Sequence, residues 1–305
     1  MHFPVSKSLM VTKINTVSVW MPTYNGAKFI GPAISSVINQ SHRDIELLVW
    51  DDGSKDNTLE LAFQWAEKDS RVKVFSTENR GIVRSLNAMM SHTRGDFVMR
   101  MDSDDVCYPH RIEKQLSYFE KNKKLGVLGC KVNLIGNQSG IWHYRQSSGE
   151  TLALALLGNT PLCHPSWMVR RELFEQFPYE AGFQDMEDYR WLCRVLFETS
   201  YEGYATTEIL MDYRIHADNI SVCRKENQDQ LRKRVLADLW SRLELSFNSD
   251  DVSVFTDVLL SGRFQEYEVL RDSVEKMKSQ LLNVNSYTQQ AIDKRVDHCT
   301  RSAKR

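Results

Sequence analysis

Through the first 125 residues, short β-branched and apolar runs alternate with longer segments whose apolar positions recur at helical spacing. A pattern that switches between a period of two and a period of about 3.6 predicts a mostly parallel sheet covered by helices. Strands are expected at Val17–Met21, Ile45–Trp50, Val72–Phe75 and Phe97–Met101. Phe29, Ile30, Ala33, Ile34, Val37 and Ile38 share one face of a helix expected over Ala27–Gln40. Leu59, Leu61, Ala62 and Trp65 do the same for Asn57–Lys68. Ile82–His92 and Arg111–Lys121 supply the next two crossovers.

Near Leu125 the rhythm changes. Val127–Ile135 and Gly140–Tyr144 read as a hairpin, Thr151–Leu157 as a helix, and Trp167–Val169 as a short strand after the turn-rich Pro161–Pro165. Asp185–Phe197 is strongly helical and Ile209–Ile215 is a further strand. Beyond Cys223, Leu231, Val235, Leu239 and Leu243 recur at every fourth position, followed by helical patterns over Val252–Leu260 and Glu266–Leu282. The expected organisation is an N-terminal extension (1–15), an α/β domain (16–222) whose halves meet near residue 125, and a helical C-terminal region (223–305).

Composition narrows the function classes. The 39 basic and 40 acidic side chains among 305 residues leave a net charge of -1, which excludes a chain whose main task is coating nucleic acid. Six cysteines lack metal-type or redox-type spacing and are expected as reduced thiols of a cytosolic protein. Met1–Lys13 has no apolar signal core, and no stretch approaches the roughly 18 apolar residues of a membrane span. A cytoplasmic location is expected, with the inner face of the cytoplasmic membrane left open as the place of work.

Each of the four N-terminal strands runs into a polar cluster: Pro22-Thr23-Tyr24-Asn25-Gly26, Asp51-Asp52-Gly53-Ser54, Glu78-Asn79-Arg80-Gly81 and Asp102-Ser103-Asp104-Asp105. In an open α/β sheet, ligands bind outside the carboxyl ends of the strands, so these clusters are expected to form one site. Asp102 and Asp104, two residues apart at the end of an extended strand, place both carboxylates on one side. Their repulsion suits a hard cation such as Mg²⁺ or Mn²⁺ carrying phosphate oxygens; the same residues also suit a helix start. Asp52 offers an acceptor for the imide N–H of uracil, and Tyr24 a ring to stack on it, although Asp-Gly is an ordinary turn pair as well.

Taken in order, Pro-Thr-Tyr-Asn at 22–25, Asp-Asp-Gly-Ser at 51–54 with Asp56, Asn79-Arg80-Gly81, Asn87, Gly95-Asp96 and Asp-Ser-Asp-Asp at 102–105 resemble the family 2 inverting glycosyltransferases of GT-A fold. The resemblance covers roughly residues 16–220. It implies that Pro22, Thr23, Tyr24, Asn25 and Asp52 hold the nucleotide, that Asp102 lies near the ribose and sugar, and that Asp104 coordinates Mn²⁺ or Mg²⁺ on the diphosphate. Gln184-Asp185-Met186-Glu187-Asp188 resembles the family's Glu-Asp pair, with Asp188 as catalytic base and Glu187 as second choice. Arg84, Asp105, His164, Arg214 and His216 are further candidates for phosphate or acceptor contacts; His164 equally suits a hydrogen-bonded structural role. Arg111 is expected to brace the acidic motif.

The resemblance implies transfer of a hexose or N-acetylhexosamine from a UDP-sugar to a glycan acceptor in O-antigen or capsule assembly; the alternative is a non-catalytic nucleotide-sugar-binding or assembly module of the same fold. A lipid-diphosphate-linked acceptor and a homodimer remain open. The segment 294–305 carries five basic side chains against one acidic. It suits either a solvated tail or attraction to an anionic leaflet, worth about 1 kcal/mol per Lys or Arg. The helices before it suit packing on the catalytic domain, a dimer contact or a membrane contact.

Overall fold

The computed structural model describes residues 15–217, 225–245, 247 and 279–280. Four parallel strands, β1 (Val17–Thr23), β2 (Ile45–Asp51), β3 (Val72–Ser76) and β4 (Phe97–Arg100), alternate with helices α1 (Ile30–Ile38), α2 (Thr58–Lys68) and α3 (Ile82–Met90). Then follow β5 (Val106–Cys107), α4 (Arg111–Lys121), β6 (Leu125–Gly136), β7 (Gly140–Trp142), α5 (Ser148–Leu156), β8 (Met168–Arg170), α6 (Arg171–Gln176), α7 (Glu187–Glu198), β9 (Glu202–Ile215) and α8 (Lys225–Arg242). One sheet joins the strands in the order β3-β2-β1-β4-β8-β6-β9-β5, with β7 added to β6. This is the α/β GT-A arrangement, with the sheet between two layers of helices.

Strand alternation builds both layers. Val17, Val19 and Met21 of β1 face a core shared with Ile30, Ile34 and Val37 of α1, Ala62 of α2 and Ile112, Leu116 and Phe119 of α4. Trp20 points to the opposite core, with Leu86 of α3, Leu156 of α5, Phe174 of α6, Trp191 of α7 and Trp240 of α8. Ser18, on the Trp20 face near the amino end of β1, donates to Glu46 at 2.6 Å, and Lys73 holds the other oxygen of that carboxylate at 2.6 Å. Neighbouring strands β1, β2 and β3 are thereby joined at the edge away from the site.

The helix expected over Ala27–Gln40 is shorter, Ile30–Ile38, with Pro32 inside its first turn where no amide partner is required. α7 starts at Glu187 rather than Asp185, because Asp185 has φ +80° and cannot belong to the helix. β9 begins seven residues before the expected Ile209, since pairing with β6 from Leu125 onward holds a stretch that is polar in sequence. β5 and α6, short elements with weak periodicity, were not expected.

The first of the C-terminal helices, α8, packs on the α/β domain. Leu231, Val235, Leu236, Leu239 and Trp240 are buried, and the Trp240 indole donates to the Leu156 carbonyl at 3.0 Å. Buried Arg190 of α7 bridges Glu180 and Asp238. The expected helices over Val252–Leu260 and Glu266–Leu282 (apart from residues 279–280) and the basic segment 294–305 lie outside the described residues. No described helix is long and apolar enough to cross a membrane. Because Trp240 closes the α5–α7–α8 core, Trp240→Ala is expected to cost about 3–5 kcal/mol in urea unfolding. An unchanged midpoint would show that α8 is not part of the cooperative unit.

Candidate active site

The carboxyl ends of β3, β2, β1 and β4 share one edge, and there the polar clusters meet. β1 continues through Pro22 and Thr23, which pair with Trp50 and Asp51, two residues beyond the expected end. Pro22 is tolerated because pairing with β4 stops at Trp20–Arg100, so the amide that Pro lacks would face a side of β1 with no ladder to join. Tyr24 follows, 50% exposed. Asn25, at φ +51°, ties the loops after β1 and β2: its amide donates to Ser54 Oγ at 2.9 Å and its side-chain oxygen accepts from Lys55 N at 2.8 Å. Thr23 Oγ1 is buried without a hydrogen-bond partner.

Asp51 and Asp52 divide their work. Asp51 accepts from Ser54 N and Ser76 Oγ and holds the turn. Asp52, buried at the cleft edge, accepts from Arg80 N at 2.9 Å and Gly81 N at 2.8 Å. Gly81 has φ +86°, and a Cβ there would meet the Gln184 side chain at 2.7 Å. The glycine thus lets the loop after β3 close against the segment leading into α7. Arg84 is exposed on the first turn of α3, at the rim.

The acidic cluster is assembled by a turn. β4 ends at Arg100, so Asp102–Asp105 do not continue the strand as expected. Their carboxylate oxygens nevertheless lie within 4.8 Å of one another. A helix-capping role is ruled out: α4 starts at Arg111 with no side-chain cap. Arg100 pairs with Asp102 at 2.7 Å. From β9, the Arg214 amide donates to Asp105 at 2.8 Å, Arg214 Nε donates to the Asp104 carbonyl at 2.8 Å, and His216 Nε2 lies 2.8 Å from Asp104 Oδ2. Fully buried Arg111 holds the carbonyls of Arg100 and Pro165 from beneath, as a brace.

Asp105 is 1% exposed and is therefore not placed as the phosphate or acceptor contact expected of it; it backs the other two acids. Burial and then the Asp102 and Asp104 charges push its carboxyl well above the usual range, and burial and then Asp102 raise that of Asp104. Asp105 Oδ2 is buried and unpartnered. Three crowded carboxylates with an orphaned oxygen among them fit a hard divalent cation.

The facing wall comes from the second half of the chain. A single turn of 3₁₀ helix, His164–Ser166, places His164 Nε2 at 2.8 Å from the Tyr179 hydroxyl. Burial, with the Arg100 charge added, holds the imidazole well below its usual range. Tyr179 is pinned by Asn87, which exchanges hydrogen bonds of 2.8 and 2.9 Å with its carbonyl and amide. At the start of α7, Glu187 accepts from Asp185 N and is buried; Asp188 accepts from Tyr189 N and is partly exposed. Burial, then the Asp188 charge, pushes Glu187 up to about 8, and burial pushes Asp188 up to about 6.

The residue that links the two walls went unnoticed in the sequence. Arg100 is 3% exposed, its Nε is unpartnered, and its charge acts on His164, Tyr179, Glu187 and Asp188 while it pairs with Asp102. Its one sequence signal is an arginine closing an apolar run directly before an acidic cluster.

Residues 18–177 match the sequence profile of Glycosyl transferase family 2. The chain belongs to this family. As a family 2 glycosyltransferase it is 31% identical over 217 residues to EpsE of Bacillus subtilis, covering 68% of this chain and 76% of that one. It is 30% identical over 210 residues to the O-antigen biosynthesis glycosyltransferase WbnJ of Escherichia coli, covering 67% and 81%. Its fold is similar to residues 1–349 of S. aureus TarS in complex with UDP-GlcNAc, with TM-score 0.61, 17% identity and coverage of 86% and 81%.

Glu187 generates a pH signature for this glycosyltransferase. A carboxyl raised from 4.5 to about 8 in the fold favours the folded state when protonated, and that contribution is lost as pH rises through this window. Metal-free Glu187→Gln is therefore expected to lose less thermal stability than wild type between pH 5 and 8.5. Equal slopes would contradict the burial of an ionisable group there.

Proposed function

We propose that this enzyme is an inverting, metal-dependent glycosyltransferase that moves a hexose or N-acetylhexosamine from a UDP-sugar to a glycan acceptor, in the building of a surface polysaccharide such as an O-antigen or capsule. The observation that carries this reading is the opposition of two acidic groups across Arg100: the crowded Asp102–Asp105 cluster on one side and Asp188 on the other. The TarS complex with UDP-GlcNAc supports the choice of donor, and the similarity to WbnJ supports the pathway class.

In this reading the base lies against Thr23, Tyr24 and Asp52. The two Asp52 oxygens each already accept one amide and retain acceptor capacity for the uracil imide N–H. Asn25 shapes that loop, and Asp102 meets the ribose and sugar. A divalent cation, Mn²⁺ or Mg²⁺, held at Asp104 beside Asp102 and Asp105, would neutralise the departing diphosphate. Arg214 and His216, already on Asp104, close over the same phosphates from β9.

Burial raises both carboxyls, Glu187 the further, so Asp188 is the member of the pair that gives up its proton more readily. The Asp188 carboxylate takes the proton of the acceptor hydroxyl as the hydroxyl oxygen bonds to the anomeric carbon. The bond from that carbon to the diphosphate oxygen breaks, and UDP leaves with the electron pair. One base suffices because the leaving group needs no proton.

The test is to incubate the protein and Mn²⁺ with UDP- and GDP-sugars and follow the product anomer by NMR. Inversion is expected, with a UDP-sugar consumed, and Asp188→Asn is expected to lower kcat by about 10²–10⁴ at a near-constant donor KM. Retention of configuration, or consumption of GDP-sugars alone, would contradict the reading.

A further inference from the structure

β7 is a three-residue edge strand, exposed at each position and, among the described residues, paired with β6 alone. It carries Trp142 at 38% exposure, and no other tryptophan is as exposed. Trp142 pairs with Val132 and Tyr213 pairs with Leu134, so the two rings stand on one face of the sheet, either side of β6. Their centroids are 5.3 Å apart. Val132 and Leu134, on that same face, belong to a small buried core against which Tyr213 packs.

Tyr213 leads back to the reacting centre. The next residue's amide is the one bonded to Asp105, and the Tyr213 hydroxyl feels the charges of Asp102, Asp104 and Asp105. The sheet order places β7 and β6 beyond β4 and β8, on the side of the acidic cluster away from the β1 and β2 ends that hold Thr23, Tyr24 and Asp52. An occupant of the Trp142 face is therefore not the nucleotide.

We infer that Trp142 and Tyr213 form a stacking subsite for a pyranose ring of the acceptor glycan, outward of the sugar that is modified. A pyranose presents a face of C–H groups to an aromatic ring and a rim of hydroxyls to polar partners. Trp142 supplies the aromatic ring, with the Tyr213 ring packed beside it. This inference rests on the proposed transfer to a glycan.

Saturation-transfer NMR with methyl glycosides of glucose, galactose, N-acetylglucosamine and N-acetylgalactosamine tests it, using wild type, Trp142→Ala and Trp142→Phe. The expected result is saturable binding of at least one glycoside to wild type, with transfer strongest at the C–H protons of one ring face. Trp142→Ala should weaken it about five- to tenfold and Trp142→Phe should restore most of it, with UDP affinity and melting temperature unchanged. Equal binding by Trp142→Ala, or no saturable binding of any glycoside to wild type, overturns the subsite. So does a Trp142-dependent sedimentation with anionic lipid vesicles in place of glycoside binding. Failure of wild type to bind UDP or turn over any nucleotide sugar would instead sink the reading of the donor site, so the two failures are distinguishable.

Discussion

Three carboxylates within 4.8 Å of one another at the end of a central strand set the terms for the rest of the molecule. Like charges this close repel strongly where solvent is partly excluded, so the fold must supply countercharge or protons. It supplies a partner to each carboxylate. Arg100 pairs with Asp102, the Arg214 amide meets Asp105, His216 reaches Asp104, and burial pushes the Asp105 carboxyl well above its usual range. Arg100 comes from the end of β4, and Arg214 and His216 from the end of β9, more than a hundred residues later. The arrangement explains why β9 runs fourteen residues beside β6 before it reaches the cluster.

Arg100 is the joint between this cluster and the facing wall. Without it, Asp102 would lose its partner and the Glu187–Asp188 pair would lose a nearby positive charge in a buried setting. Its orphaned Nε, the unpartnered Thr23 Oγ1 and Asp105 Oδ2 are buried polar atoms left without a hydrogen-bond partner around the site. The α5–α7–α8 core behind Trp240 then anchors α7, whose first turn carries Asp188.

Much of this was legible in the residues. The four parallel strands stand within one or two residues of where alternation put them, and the helix over Arg111–Lys121 coincides with its apolar period. The four strand-end clusters do meet on one edge. What alternation could not convey is tertiary. Pro22 remains in β1 because its neighbour β4 ends early, Asp185 breaks the expected start of α7 through a positive φ, and polar residues 202–208 become strand only by pairing with β6. The setting of Asp105 depends on the Arg214 backbone amide, more than a hundred residues away, and the role of Arg100 on the Glu187 and Asp188 side chains, nearly ninety residues away. A hydrogen bond between His164 and Tyr179 is equally invisible to spacing.

If repulsion among Asp102, Asp104 and Asp105 is the governing constraint, relief by a divalent cation should stabilise the whole fold. The most direct measurement is the thermal unfolding midpoint at pH 7.5 with and without Mn²⁺, in wild type and in Asp104→Asn. A Mn²⁺-dependent rise in wild type that is largely lost in Asp104→Asn, whose metal-free midpoint is itself raised, is the expected result. A midpoint indifferent to Mn²⁺, or the same response in both proteins, would contradict a metal-binding role for the cluster.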